Sequence, residues 1–186
     1  GEPYNWNTED PGTPPDSASI RHLTHLYDGR LAEADQQLGR LLSGLRQRGL
    51  DGNTIVVVVA DHGEEFLEHG FAWHGKTLFQ QALHVPLVIS GPGIPTGEVE
   101  HPVAQVDIVP SLMALLELEW PGRLDGRDLF GPETGDVPIY STNLNATPLE
   151  VICVRLGDSK TVWEATADAA FTFDLAADPG ETVSLP

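Results

Sequence analysis

The chain has 186 residues, 28 acidic side chains against 10 basic ones, and a net charge of −18. The length is ample for a buried core, and 40% hydrophobic with 20% charged residues is the composition of a folded protein, not of an acidic disordered tail. The charge excludes a nucleic acid gripped by its phosphates and speaks against docking on an anionic membrane.

The longest apolar run, Ile55 to Ala60, is far too short to span a bilayer. The single cysteine, Cys153, lies in the apolar run Val151 to Val154, so the chain has no intrachain disulfide and no Cys-based zinc cluster. It reads as a small core residue. The start, Gly1-Glu-Pro-Tyr-Asn-Trp6, carries no signal peptide and looks like a cut end, so a cytoplasmic and an exported protein both stay open.

Residues 1–16 hold Pro3, Pro11, Pro14 and Pro15 and form an irregular lead-in. From Asp16 or Ser17, either of which can cap, apolar residues from Ile20 to Leu45 recur at three- and four-residue steps. They predict one long amphipathic helix, stopped near Gly49. After the turn Asp51-Gly52-Asn53, Thr54 to Ala60 reads as a strand apolar on both faces, the pattern of a central strand in a covered, largely parallel sheet.

A short helix follows over Thr77 to Leu83, then a second buried strand, Val85 to Ser90, with Pro86 near its start. Asp107 opens a helix to about Glu117, with Pro110 in the first turn. Residues 118–136 read as loop. Short strands at Pro138 to Tyr140, Val151 to Leu156, Thr161 to Trp163 and Phe171 to Leu175 close the chain. The expected organisation is a lead-in over 1–16, an α/β region over 17–135 and a small antiparallel β unit over 136–186.

Chemistry concentrates in residues 60–78. Asp61 and His62 sit where a buried strand ends, which is where open α/β sheets bind ligands. Gly63 lets the backbone bend so that both side chains converge. One carboxylate and one imidazole are a part-set for a divalent cation, and a tight site needs at least two more ligands. His69, His74 and Lys76 offer further donors in the same loop. The bland alternatives are an Asp61 that caps a helix and a solvated first turn at Glu64, Glu65 and Glu68. His22 and His25 read as packing or surface residues of the long helix, His84 as framework, and His101 as an uninformative loop residue.

Five segments in order resemble the later half of a sulfatase of the alkaline-phosphatase superfamily. They are Tyr27-Asp-Gly-Arg30 through Leu41, then Asn53 to Glu64, and His74-Gly-Lys-Thr-Leu-Phe79 with Val85-Pro-Leu-Val-Ile-Ser-Gly-Pro-Gly93. The last two are Val106-Asp-Ile-Val-Pro-Ser-Leu112 with Leu124-Asp-Gly-Arg-Asp-Leu129, and Phe173-Asp-Leu-Ala-Ala-Asp-Pro-Gly-Glu181. The resemblance covers roughly residues 20–186.

The resemblance implies part of an alkaline-phosphatase-like mixed or parallel sheet flanked by helices, followed by the antiparallel unit. Asp61 and His62 would bind the active-site cation, calcium or magnesium in sulfatases and zinc or manganese in phosphatase-like relatives. His74, with Lys76, would face the sulfate or phosphate oxygens, and Asp107 would be structural. The family's Tyr-Glu-Glu is Phe79-Gln80-Gln81 here, and His84 stands where it commonly has Arg.

The family's nucleophile signature, Cys/Ser-x-Pro-x-Arg, which yields formylglycine, does not occur in this chain, nor does the upstream Asp pair. Pro3-Tyr4 resembles the tail of the family's mid-chain His-x-Pro-Tyr. The expectation is therefore a hydrolase of small-molecule or glycan sulfate esters whose N-terminal half, with its formylglycine, lies outside this chain. Such a half would leave sheet surface uncovered here, so the chain is expected either to self-associate or to need its other half for stability. A phosphodiesterase, phosphonate hydrolase or phosphotransferase of the same superfamily, and a non-catalytic remnant, are the alternatives.

Overall fold

The computed structural model describes residues 16–132, 135–143 and 150–185. Apart from Asp16, the lead-in expected over 1–16, with its Pro3-Tyr4, lies outside the described residues. The chain forms two compact units: one runs to His74 and adds His84–Pro92, and the other joins Gly75–Leu83 to the residues from Gly93 onward.

In the first unit the predicted long helix is α1, Ser17–Gln47. Of the two caps considered, Asp16 serves, accepting a hydrogen bond from Ser19 N–H at 2.8 Å. Gly49, at φ +66°, ends the helix as expected: its N–H reaches Arg46 O and Leu50 N–H reaches Leu45 O, which satisfies two of the orphaned terminal carbonyls. Tyr27 of α1 meets Phe66 edge-on, ring centroids 5.4 Å apart.

Strand β1, Val56–Val59, pairs with the strand Leu87–Ser90, which we number β4 in chain order. Their register, Val56 opposite Ser90 and Val59 opposite Leu87, is antiparallel, where the run of valines suggested a parallel neighbour. Apolarity on both faces reports how a strand is covered, not which way its neighbour runs. Between them lies a hairpin of β2, Glu65–Phe66, and β3, Ala72–Trp73. Glu65 to Glu68 are therefore not the first turn of a helix.

The second unit holds a one-turn helix α2, Gln80–Leu83, a helix α3, Ile108–Leu115, entered through a 3-10 turn at Gln105–Asp107, and a four-stranded sheet. The sheet comprises β5 (Ile139–Thr142), β6 (Val151–Leu156), β7 (Ser159–Glu164) and β8 (Ala169–Asp174), antiparallel in chain order. All four predicted terminal strands are present. Leu78 packs in one core with Val151, Cys153, Val162, Phe173 and Leu175. Burial pushes the Cys153 thiol above its ordinary value, in keeping with a packing role.

Two sequence motifs interlock around Asp107. Instead of capping α3 with its side chain, as a helix-opening Asp usually does, Asp107 accepts from Ala104 N–H and Arg127 N–H, both at 2.9 Å. Ser111 Oγ donates to Asp107 O at 2.6 Å and accepts from Leu129 N–H at 2.8 Å. Arg127 donates to Pro102 O at 2.7 Å. Val106–Leu112 and Leu124–Leu129 thus fasten to each other through buried polar groups, each with a partner, as burial demands.

The C-terminal motif also has a structural basis. Asp178 accepts from Thr182 N–H at 2.7 Å and Val183 N–H at 2.8 Å, and the Val183 amide is the main cause that holds its carboxyl below the ordinary 3.8. A carboxyl lowered in the folded state adds stability that is present above the unfolded value and is lost as pH falls through the lower folded one. Asp178→Asn is therefore expected to flatten the loss of stability below about pH 4, read as unfolding midpoint against pH. An acid limb as steep as the parent's would contradict this.

Candidate functional site

The site residues of the first unit gather after β1. Asp61 Oδ1 accepts the N–H of His62 at 3.0 Å, and its other oxygen lies 3.7 Å from His62 Nε2. His62 Nδ1 lies 2.9 Å from Gly63 O. A carbonyl can only accept, so Nδ1 carries a proton; in the neutral ring that leaves the lone pair on Nε2, the tautomer a metal-binding imidazole needs.

His74 stacks on His62, ring centroids 3.8 Å apart and planes inclined by 25°. Its Nδ1 points at Glu64, 3.2 Å from Oε1 and 3.4 Å from Oε2. That carboxylate accepts the Nδ1–H hydrogen bond and orients the ring, so Nε2 can donate to an anion only as the imidazolium. The hairpin brings these residues together although ten positions separate Glu64 and His74. Trp73, immediately before His74, adopts φ +72°, a costly conformation for a bulky residue and one found disproportionately at functional sites.

The structure thus unites Asp61, His62 and His74 and adds Glu64, which the sequence does not link to His74. The side chain of Asp61 is 90% exposed and that of His62 42%, so the carboxylate and the imidazole both face outward. Asp61 and His62 fit the oxygen and nitrogen donors of a divalent cation, but only in part. Among the described residues no group of three or more His, Cys, Asp or Glu is arranged to hold one. Lys76 belongs to the second unit, where Asn143 Nδ2 donates to its carbonyl at 3.1 Å.

Sequence reasoning missed two buried acids. Glu65, 1% exposed, lies in β2 with Oε1 at 3.8 Å from His69 Nδ1. Glu181, 2% exposed, meets Lys160, 1% exposed, Nζ to Oε1 at 2.5 Å. A Glu and a Lys each read as surface residues in a sequence, and only the register of β7, which turns Lys160 and Val162 to the same covered face, shows otherwise.

The first unit thus sets an Asp-His pair after β1 with a second imidazole stacked on it, and the second unit carries an antiparallel C-terminal sheet. The Sulfatase family model matches residues 3–118, and the chain belongs to that family.

Arylsulfatase K of Danio rerio is 37% identical over 123 residues, 66% of this chain and 23% of its own length. A choline-sulfatase of Rhizobium meliloti is 29% identical over 177 residues, 90% of this chain and 34% of its own length. The chain therefore spans about a quarter to a third of the length of these curated relatives. Among solved structures, a sulfatase from Bacteroides thetaiotaomicron superposes with a TM-score of 0.82 at 22% identity, over 91% of this chain and 39% of that one. A 2-O GAG sulfatase gives 0.80 at 22% identity, over 91% and 40%. These likenesses show that the chain has the fold of the corresponding part of a sulfatase, as the sequence resemblance implied.

Proposed function

We propose that this chain supplies the cation-binding and anion-facing part of a sulfate ester hydrolase, completed by a longer polypeptide that brings the nucleophile. The observation that carries the reading is the His62–His74 stack: one ring turned by its Nδ1 bond to Gly63 O and a second turned by Glu64 stand side by side after β1.

Asp61 and His62 would hold calcium or magnesium, with the remaining oxygen ligands from outside this chain. When bound, such a cation supplies positive charge against the developing negative charge of the ester oxygens. His74, as the imidazolium, donates from Nε2 to a sulfate oxygen, and Lys76 faces the sulfate group with its ammonium. Both act on charge that grows in the transition state, where a positioned donor is most effective. The net charge of −18 does not oppose this, since a cation held by carboxylates inverts the local field. The substrate class is a small-molecule or glycan sulfate ester.

The test is a panel of nitrophenyl sulfates and phosphates on the longer polypeptide. Sulfate turnover is expected to dominate, and His74→Ala to lower kcat/KM by about 10²–10³, as loss of one such donor does. In calorimetry with calcium, Asp61→Ala should weaken binding by at least the ~10–100-fold that loss of an outer-shell partner costs. Preferential phosphate turnover, or full activity in both variants, would overturn the proposal.

A further inference from the structure

Three side chains of the second unit grip the backbone of the segment Lys76–Gln80 at alternate residues. Asn143 Nδ2 donates to Lys76 O at 3.1 Å, Lys160 Nζ donates to Leu78 O at 2.6 Å, and Gln80 N–H donates to Glu181 Oε2 at 2.5 Å. All three side chains are buried and fastened in turn. Asn143, 8% exposed, accepts from Val151 N–H at 2.7 Å through Oδ1, and Lys160 is paired with Glu181. The Leu78 side chain packs into the core of the same unit.

A connecting segment needs no such hold. Burying an ammonium and a carboxylate carries a large desolvation cost, and apolar residues of similar size often serve stability as well or better. What the polar clamp supplies and an apolar core does not is direction. Hydrogen bonds to two carbonyls and one amide fix the peptide planes 76–77, 78–79 and 79–80, and with them the course of the backbone that carries Lys76.

We propose that Asn143, Lys160 and Glu181 are positioning residues that hold the Lys76 backbone so that its ammonium meets the sulfate group of the ester in a single geometry. This rests on the anion-facing role given to Lys76 above. It assigns the C-terminal antiparallel sheet a part in catalysis beyond closing the fold.

The experiment compares Asn143→Ala and the double variant Lys160→Met/Glu181→Gln with the parent and with Lys76→Ala, in the longer, active polypeptide. The double variant leaves no buried charge without its partner, so it keeps the comparison open if single changes do not fold. Either clamp variant is expected to lower kcat about 10–100-fold, in line with what small misplacements cost, with KM moved much less. Amide exchange over Thr77–Leu83 should quicken, and adding the clamp changes to Lys76→Ala should cause no further loss of kcat. Unchanged kcat in folded clamp variants, with Lys76→Ala damaging, would overturn the clamp alone. The same losses in the Lys76→Ala background would overturn it too. A harmless Lys76→Ala would overturn both this inference and the role given to Lys76.

Discussion

Glu181→Ala is expected to lower stability by about 3–5 kcal/mol, the usual cost of removing one member of a buried ion pair. Glu181 uses both carboxylate oxygens: Oε1 receives Lys160 Nζ and Oε2 receives the N–H of Gln80, the first residue of α2. Removing it strands a buried ammonium and a helix-terminal amide together. A domain of ordinary stability, about 5–15 kcal/mol, would lose a large share of what it has. Lys160→Met/Glu181→Gln should recover more than half of the loss. The stranded charge is gone and the Gln carbonyl still meets the Gln80 amide, leaving Leu78 O without its lysine donor and the new Gln amide N–H groups in the place of Oε1. Urea unfolding of the parent, the single and the double variant checks this. A single variant within about 1 kcal/mol of the parent would mean that water reaches Lys160 and that the pair is not sealed.

Gly126→Ala is expected to cost about 3 kcal/mol, at the upper end of what overpacking does. A Cβ at Gly126 would stand 2.0 Å from Val106 O, 2.4 Å from Val106 C and 2.8 Å from Asp107 N. All three atoms are backbone, so no side-chain rotation relieves the clash. Nor can the strand of chain at 126 retreat, because its neighbour Arg127 is tied through its amide to Asp107 and through its guanidinium to Pro102 O. Gly97→Ala is the control: nothing lies within 4 Å of the added carbon, so its effect should stay within about 0.5 kcal/mol. Equal unfolding midpoints for the two variants would refute the close approach. The glycine of Leu124-Asp-Gly-Arg127 is thus explained by contact with Val106-Asp107, the other motif.

Asp61 and His62 were legible because their signal is local: a run of apolar residues ends, and a carboxylate and an imidazole follow at its carboxyl end. Glu64 was not, since its role depends on the β2–β3 turn bringing His74 back beside it. The helix α1 was read almost to the residue, because a 3.6-residue period over 31 residues outweighs any one exception. The direction of β4 against β1 was not, because a strand presents the same alternation of side chains to either kind of neighbour.

By itself, then, the sequence determined the elements apart from the β2–β3 hairpin, their order, the family resemblance and the adjacency of Asp61 and His62 after β1. All of these rest on periodicity or on residues adjacent in the chain. Tertiary structure alone decided which acid steers His74, why Gly126 tolerates no side chain, and that Lys160 and Glu181 are buried partners gripping the backbone next to Lys76. Those facts join residues ten to a hundred positions apart. A polar side chain carries no mark in sequence of whether its partner will be water or another buried charge; only packing brings that partner within reach.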